Sequence, residues 1–151
     1  MFLCFLISLA VGIEGGYNEP ALGFKNIKSG ATFTLFVDRH WRLADVTLSI
    51  GTGFHTGDNP SYSLDSYGLR LGLSKNNWLF SPVLECGADY LHRTIHDAKE
   101  VGYAFIYTIG LVINFRYERV RLYPKFYYEG VTDFKTHGGF IGTRLGIGYE
   151  I

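Results

Sequence analysis

The most constraining feature of this sequence is a strict two-residue alternation in the stretch YAFIYTIGLVINF, residues 103–115. One set of alternate positions is wholly apolar or aromatic: Tyr103, Phe105, Tyr107, Ile109, Leu111, Ile113 and Phe115. The other set is small or mixed and includes Ala104, Thr108, Gly110 and Asn114. Because successive side chains of a β-strand point to opposite faces, the pattern predicts a strand with one apolar face. Aromatic residues stand at both ends of that face and aliphatic residues lie between them, which is typical of a strand that crosses a bilayer.

The same alternation recurs along the chain. Strand character is found in eight segments: 11–18, 30–38, 41–55, 62–74, 78–90, 103–115, 120–130 and 139–151. The connections alternate in length, with long loops predicted at 19–29, 56–61, 91–100 and 131–138 and tight turns at 38–40, 75–77 and 117–119. Outer-membrane barrels have short periplasmic turns and longer extracellular loops. The sequence therefore predicts an all-β fold: an eight-stranded antiparallel up-and-down transmembrane β-barrel with both termini in the periplasm.

Aromatic residues on the apolar faces are predicted to form two lipid-facing belts. The group at the strand ends joined by short turns consists of Trp41, Trp78, Phe115 and Tyr149. The group at the ends joined by long loops consists of Phe54, Tyr62, Tyr90, Tyr103 and Tyr128. Since aromatic side chains are enriched at both membrane interfaces, the two groups predict where the strands enter and leave the bilayer.

Charged residues occupy the opposite face of the predicted strands. The inward set is Glu14, Arg70, Glu85, Asp89, Arg121, Lys125, Glu129, Arg144 and Glu150. A barrel of eight strands is just wide enough to be filled by its own side chains, and an unpaired buried charge is strongly destabilising. We therefore expect an interior ion network of paired acids and bases that plugs the lumen.

Composition limits the class of protein. The chain has 151 residues, of which 14 are Lys or Arg and 14 are Asp or Glu. This neutral balance gives no electrostatic footprint for nucleic acid, so no nucleic-acid partner is expected. The longest uncharged apolar stretch, residues 1–13, is too short for a transmembrane helix. Length predicts a single domain.

The amino-terminal stretch FLCFLISLAVG is typical of the apolar region of a secretory signal. Ser8 and Ala10 form a small-x-small cleavage pattern, so residues 1–10 are predicted as a signal peptide and 11–151 as the barrel domain. The alternative is an extended first strand. Cys4 would leave with the signal and Cys86 would remain alone, which excludes a disulfide framework or a zinc pattern.

A soluble eight-stranded barrel of the lipocalin kind would use the same alternation with its faces reversed. Such a barrel buries its apolar residues and exposes its charges. Paired aromatic belts, strictly apolar faces and the alternating length of the connections favour the membrane form.

In these features, residues 11–151 resemble the small outer-membrane β-barrel superfamily that includes the OmpA transmembrane domain and OmpX. The resemblance rests on eight amphipathic strands, on inward Arg and Glu, and on the final strand IGTRLGIGYEI. It implies a location in the bacterial outer membrane, contact with membrane lipid and lipopolysaccharide, and recognition of the last strand by the barrel-assembly machinery. Members of this superfamily are anchors, adhesion or serum-resistance factors, or lipid A-modifying enzymes.

Two residue groups could carry chemistry. His55, Asp65 and Ser66 lie near the predicted outer ends of two strands, where a His with an Asp or Ser could serve acyl transfer or hydrolysis. His92, His96 and Asp97 could in principle bind a metal. The plainer interpretation of both groups is solvated rim and loop residues, and neither a metal nor a cofactor is expected.

The leading hypothesis is therefore a non-enzymatic outer-membrane barrel, a structural anchor or surface-interaction protein with a charge-plugged interior. It is expected to be monomeric, with a possible extracellular ligand at its loops. The alternatives are an outer-leaflet lipid A-modifying enzyme, of the deacylase or acyltransferase type, and a small pore.

Overall fold

The computed structural model describes residues 9–24, 26–41, 44–58, 61–96, 98–133 and 136–151. The strands in these ranges are β1 (Leu9–Leu22), β2 (Ile27–His40), β3 (Asp45–Gly57), β4 (Tyr62–Ser74), β5 (Phe80–Ile95), β6 (Ala98–Ile113), β7 (Phe115–Tyr117), β8 (Val120–Thr132) and β9 (His137–Glu150). The short β7 continues β6 beyond Asn114, so the two act as one barrel strand. No helix in the described ranges is long and apolar enough to cross a membrane.

The strands close into a ring. From β1 through β5 each strand pairs antiparallel with the next one, β8 pairs with β6, β7 and β9, and β9 pairs with β1. The predicted eight-stranded antiparallel up-and-down barrel is confirmed. Closure pairs the strand edges with one another, which removes the edge that an open sheet exposes.

Burial follows the predicted two-residue period. In β6, Ile109 and Leu111 are exposed on the outside, whereas Thr108 and Val112 are buried inside. The outward face of the barrel is apolar nearly all the way round: it includes Val11, Ile13, Phe33, Leu35, Leu48, Ile50, Leu69, Leu71, Leu84, Phe126, Leu145 and Ile147. An apolar surface of this extent is far larger than the patches of a typical soluble monomer.

The predicted loop at 91–100 is wrong in its bounds. The β5–β6 ladder continues through this segment until Ile95 pairs with Ala98. Polar residues such as Arg93 and Lys99 indicated a loop. Polar side chains show that a segment contacts water, but they do not determine whether its backbone forms a strand or a loop. Each further strand pair satisfies backbone hydrogen-bonding groups, so a hairpin can extend beyond the apolar band.

Strand pairing also shortens the other predicted loops. The connections are 23–26, 58–61, 96–97 and 133–136 at one end of the barrel and 41–44, 75–79 and 118–119 at the other. The predicted contrast between long and short connections is therefore not seen between strand ends.

The predicted signal peptide falls largely on residues 1–8, which lie outside the described residues. Leu9 and Ala10 belong to β1, where they pair with Arg39 and Asp38. The division of the chain at residue 10 stays a prediction.

Adjacent glycines of β1 give a test of the two faces. A Cβ on the inward Gly16 would lie 2.1 Å from the carbonyl oxygen of Thr143 and 2.7 Å from Cα of Arg144. Gly16→Ala should therefore lower the free energy of unfolding in micelles by about 1–3 kcal/mol, because the backbone must shift. A Cβ on Gly15 would meet nothing within 4 Å, so Gly15→Ala is the matched control. Equal losses for both variants would contradict the assignment of faces.

Candidate functional site: the lumen and its rims

The barrel has two distinguishable ends. At one end the N–H of Ile151 donates to the carbonyl oxygen of Leu9, at 2.8 Å. We call this end the terminal rim, and the opposite end, with the connections at 23–26, 58–61, 96–97 and 133–136, the distal rim. Everything between them on the inward face belongs to the lumen.

Buried ion pairs occupy the middle of the lumen. Arg70 on β4 donates to Glu129 on β8, at 2.5 Å, and to Asp89 on β5, at 2.9 Å. Arg144 on β9 donates to the same Glu129 carboxylate, at 3.2 Å. One glutamate thus joins two guanidinium groups from different sides of the ring.

The pairing continues through a lysine. The Lys125 ammonium donates to Glu85 at 2.6 Å and lies 3.6 Å from Glu14. The same Glu14 oxygen lies 3.6 Å from Arg144, and its other oxygen accepts from the Tyr123 hydroxyl at 2.8 Å. We call the joined side chains the central network: Glu14, Arg70, Glu85, Asp89, Lys125, Glu129 and Arg144. Lys125 is only 1% exposed, so water contributes little to its solvation.

A second polar group lies nearer the terminal rim. Arg121 donates to Asp38 at 2.6 Å, and the guanidinium stacks over the Tyr123 ring at 4.5 Å. The Asn76 side chain also donates to Asp38, at 3.2 Å, and its backbone N–H donates to Asp45. The turn between β4 and β5 is thereby tied to β2 and β3 across the barrel mouth.

The structure brings seven of the nine sequence-predicted network residues together and separates the other two. Arg121 pairs with Asp38, and Glu150 pairs with Arg116 at the exposed terminal rim. Asp38 was missed because it was assigned to the tight turn at 38–40. Asp45 was missed because the alternation in the predicted strand 41–55 was followed only from Val46 onward. The sequence did indicate an inward side chain for Asp38, because Asp38 is an even number of positions from the inward Thr34 and Phe36.

Apolar side chains fill the lumen near the distal rim. This apolar layer consists of Ile27, Leu64, Ala104, Ile106, Val131 and Phe140. Phe24, in the β1–β2 connection, stacks on Phe140 with ring centroids 4.5 Å apart. The alternation in the sequence placed several of these side chains inward. It did not predict that the apolar ones would lie together in a layer separate from the charged ones.

The cavities found between the rims, among the described residues, are small. Cavities of about 10 Å³ and about 20 Å³ lie on the two sides of the central network. A water molecule needs about 10–15 Å³ of such space, so each cavity has room for about one. Larger clefts, of about 320 Å³ and 340 Å³, lie at the terminal and distal rims.

The residues considered for acyl transfer do not meet. His55 is buried inside the barrel, with Nε2 2.6 Å from the Asn18 side-chain oxygen and Nδ1 3.3 Å from the Leu64 carbonyl. Asp65 lies on the outward face, 3.9 Å from His92. Ser66 lines the same small cavity as His55, so the barrel wall separates these two from the carboxylate.

The predicted metal group is also spread out. Nε2 of His96 lies 2.6 Å from the Tyr62 hydroxyl at the distal rim, whereas His92 faces Asp65. Asp97 lies outside the described residues. Within the described part of the chain, no group of three or more potential metal ligands is found.

The residues of the predicted lipid-facing belts lie on the outward face, except Tyr62, which packs against the apolar layer inside the barrel because it has the inward position of β4. Trp41, Phe54, Trp78, Tyr90, Tyr103, Phe115 and Tyr149 are exposed, and Tyr128 is half-buried. The Tyr90 and Tyr103 rings are 5.3 Å apart, and the Tyr128 hydroxyl is 3.2 Å from Nε2 of His137. That these residues mark the membrane interfaces stays a prediction.

The closed ring, its apolar outer face and its polar lumen define the fold as that of the small eight-stranded outer-membrane β-barrels. No protein-family model matches the chain, and no curated protein matches it. Similar solved structures include Neisserial surface protein A, with a TM-score of 0.61, 10% identity and coverage of 95% of this chain and 97% of that one.

Two further structures are similar to a comparable degree. The amino-terminal β-barrel domain of Pseudomonas aeruginosa OprF has a TM-score of 0.62 and 14% identity, over 93% of this chain and 97% of that one. The attachment invasion locus protein Ail of Yersinia pestis has a TM-score of 0.59 and 15% identity, over 94% and 98%. These neighbours are bacterial outer-membrane β-barrel proteins, and at 10–15% identity the likeness shows a shared fold.

Proposed function

We propose that this chain is a non-enzymatic β-barrel protein of the bacterial outer membrane, which acts as a structural anchor or as a surface-interaction protein. The observation that carries this proposal is its inverted polarity: apolar side chains cover the outside while paired charges fill the inside. A closed barrel satisfies all of its backbone groups between strands, which is a requirement for crossing a bilayer.

In this proposal the lumen is closed, and a closed lumen suits a role other than transport. The central network and the apolar layer stand in series between the rims, with cavities of only about 10 Å³ and 20 Å³ beside the network. An ion would have to displace buried, mutually paired charges to pass. In this proposal the network acts as a plug that holds the strands together.

The surroundings of His55 support a structural role for it. Both ring nitrogens contact neighbouring groups, and the ring packs against Phe140 at 4.6 Å between centroids. We take the histidine as part of the interior packing.

The proposed orientation places the terminal rim in the periplasm and the distal rim outside. Lipopolysaccharide and membrane lipid then contact the outward face, and the barrel-assembly machinery would recognise β9. Because the ring closes within one chain, a monomer is sufficient for insertion.

Electrophoresis and conductance together test the proposal. The protein, refolded in detergent micelles, should migrate faster unboiled than boiled, because the folded barrel is compact. In planar bilayers it should give no steady conductance, while a porin with a wide aqueous lumen provides the positive control.

Two outcomes would contradict it. Solubility as a folded monomer in detergent-free buffer would reverse the assignment of the faces. A change in the acyl chains of lipid A on expression, lost in His55→Ala, would instead assign an enzyme.

A further inference from the structure

Acidic and basic side chains alternate along the central network. In order of contact, its members are Asp89, Arg70, Glu129, Arg144, Glu14, Lys125 and Glu85. An acid stands at each end, so four carboxylates share three basic groups. With every group ionised, the network is one positive charge short of neutral in a region that water hardly reaches. A buried charge without a compensating partner is strongly destabilising.

The missing charge belongs to the side of the network that faces the terminal rim. On the distal side two arginines contact two carboxylates, those of Asp89 and Glu129. On the terminal side, the cavity of about 20 Å³ has three acidic and two basic residues in its lining: Glu14, Asp38, Glu85, Arg121 and Lys125. Arg121 pairs with Asp38, so Lys125 is left with two carboxylates. One carboxylate is therefore in excess at this cavity.

Two carboxylate oxygens of the same cavity have no hydrogen-bond partner. They are Oε2 of Glu14 and Oε2 of Glu85, and no described residue donates a hydrogen bond to either of them. The two side chains are only 9% and 7% exposed. A buried polar atom without a hydrogen bond is destabilising, so these oxygens indicate where a compensating positive group would bind.

The size and the lining of the cavity suit a small ion. Its volume of about 20 Å³ exceeds the space that one water molecule needs, about 10–15 Å³. Thr47, Ser74 and Asn76 also line it and add further oxygen atoms, the ligands that hard cations prefer. The cavity shares Asp38, Asn76 and Arg121 with the cleft of about 320 Å³ at the terminal rim. It therefore lies next to the solvent at that rim.

We propose that the lumen binds one small monovalent cation in this cavity, between the Oε2 atoms of Glu14 and Glu85. A sodium ion and a proton supply the same missing charge. Sodium would take one oxygen ligand from each carboxylate, and a proton would join the two carboxylates through a hydrogen bond. Lys125 provides one positive charge to this pair of acids and the bound cation provides the second. A divalent ion would leave the site with an excess of positive charge.

Other charged and titratable groups surround the two carboxylates on strands all round the ring. They are Asp38 on β2, Arg70 on β4, Asp89 on β5, Arg121, Tyr123, Lys125 and Glu129 on β8, and Arg144 on β9. Several of these groups can also titrate. A dependence of stability on pH is therefore assigned to the site only where substitution of Glu14 or Glu85 removes it.

Equilibrium unfolding in micelles tests the site. Sodium chloride is exchanged for choline chloride at constant ionic strength, and the pH is varied from about 5 to about 9. If sodium binds, the unfolding constant should fall about tenfold for each tenfold rise in sodium above its dissociation constant. If a proton binds, the unfolding constant should rise about tenfold per pH unit, because the ionised carboxylates of the unfolded chain lack the proton that the folded barrel holds.

Two variants each remove the excess carboxylate while keeping the length of the side chain. Glu85→Gln and Glu14→Gln should each abolish the response to sodium, or lower the pH response by about tenfold per unit, which is one proton. Glu150→Gln is the matched control, because it removes a carboxylate that pairs with Arg116 at the exposed terminal rim. This control should keep the wild-type response. Heat-dependent migration shows whether each variant is folded.

Three results would overturn the inference. The first is a wild-type protein whose unfolding constant responds to neither sodium nor pH. The second is an undiminished response in Glu85→Gln and in Glu14→Gln. The third is failure of both variants to fold, because a network that lacks one positive charge should tolerate the loss of one carboxylate. If only one variant folds, its response decides.

Discussion

Replacing Arg144 by methionine should lower the free energy of unfolding by about 3–5 kcal/mol, the usual effect of breaking a buried ion pair. Arg144 is 3% exposed. It donates to Glu129 at 3.2 Å and lies 3.6 Å from Glu14. Methionine keeps much of the side-chain volume but leaves the two carboxylates with fewer partners in a site that water hardly reaches. Urea titration of the refolded protein in micelles measures the loss.

The matched control is Arg116→Met at the terminal rim. Arg116 pairs with Glu150 where both side chains contact solvent, and exposed pairs contribute about 0–1 kcal/mol. Arg116→Met should therefore lower the free energy of unfolding several times less than Arg144→Met does. Similar losses for the two variants would show that burial of the central network does not contribute to the stability of the barrel.

Leu111→Arg should reduce the stability of the inserted barrel by about 2–4 kcal/mol, the effect of a basic residue at the bilayer midplane. Leu111 lies on the outward face of β6, 42% exposed, between aromatic residues at either end of the strand. In lipid the guanidinium has no partner and cannot reach water without deforming the bilayer. The measurement is equilibrium unfolding in phospholipid vesicles.

The control for Leu111→Arg places the same residue type at a different depth in the bilayer. Tyr117→Arg makes a similar substitution at the terminal rim, on a side chain that is 78% exposed. Near an interface the effect of a basic residue falls to about 0–1 kcal/mol. If both variants lost the same stability, or if Leu111→Arg were neutral, the outward face would not contact hydrocarbon.

Much of the architecture could be predicted from local pattern. The alternation at 103–115 assigned Leu111 outward and Thr108 inward, and burial in the structure agrees. A two-residue period can be read from the sequence because it depends only on the geometry of one extended strand.

Strand ends were harder to predict than strand faces. The segment 91–100 is rich in charge and was assigned to a loop, yet most of it pairs in the β5–β6 hairpin. Backbone pairing depends on whether a neighbouring strand is present, and this information is not contained in the segment itself. For the same reason, the cleft at the distal rim could not be predicted.

The amino-acid sequence by itself determined which side chains point inward, and therefore that the charges share the lumen. Only the tertiary structure decided which of them meet. Arg70 and Glu129 are 59 positions apart and join at 2.5 Å, whereas Glu150 lies at the rim with Arg116. The physical reason is that the inward or outward direction of a side chain depends on its position in one strand alone. The height of a residue in the lumen depends instead on how all the strands are staggered around the closed ring.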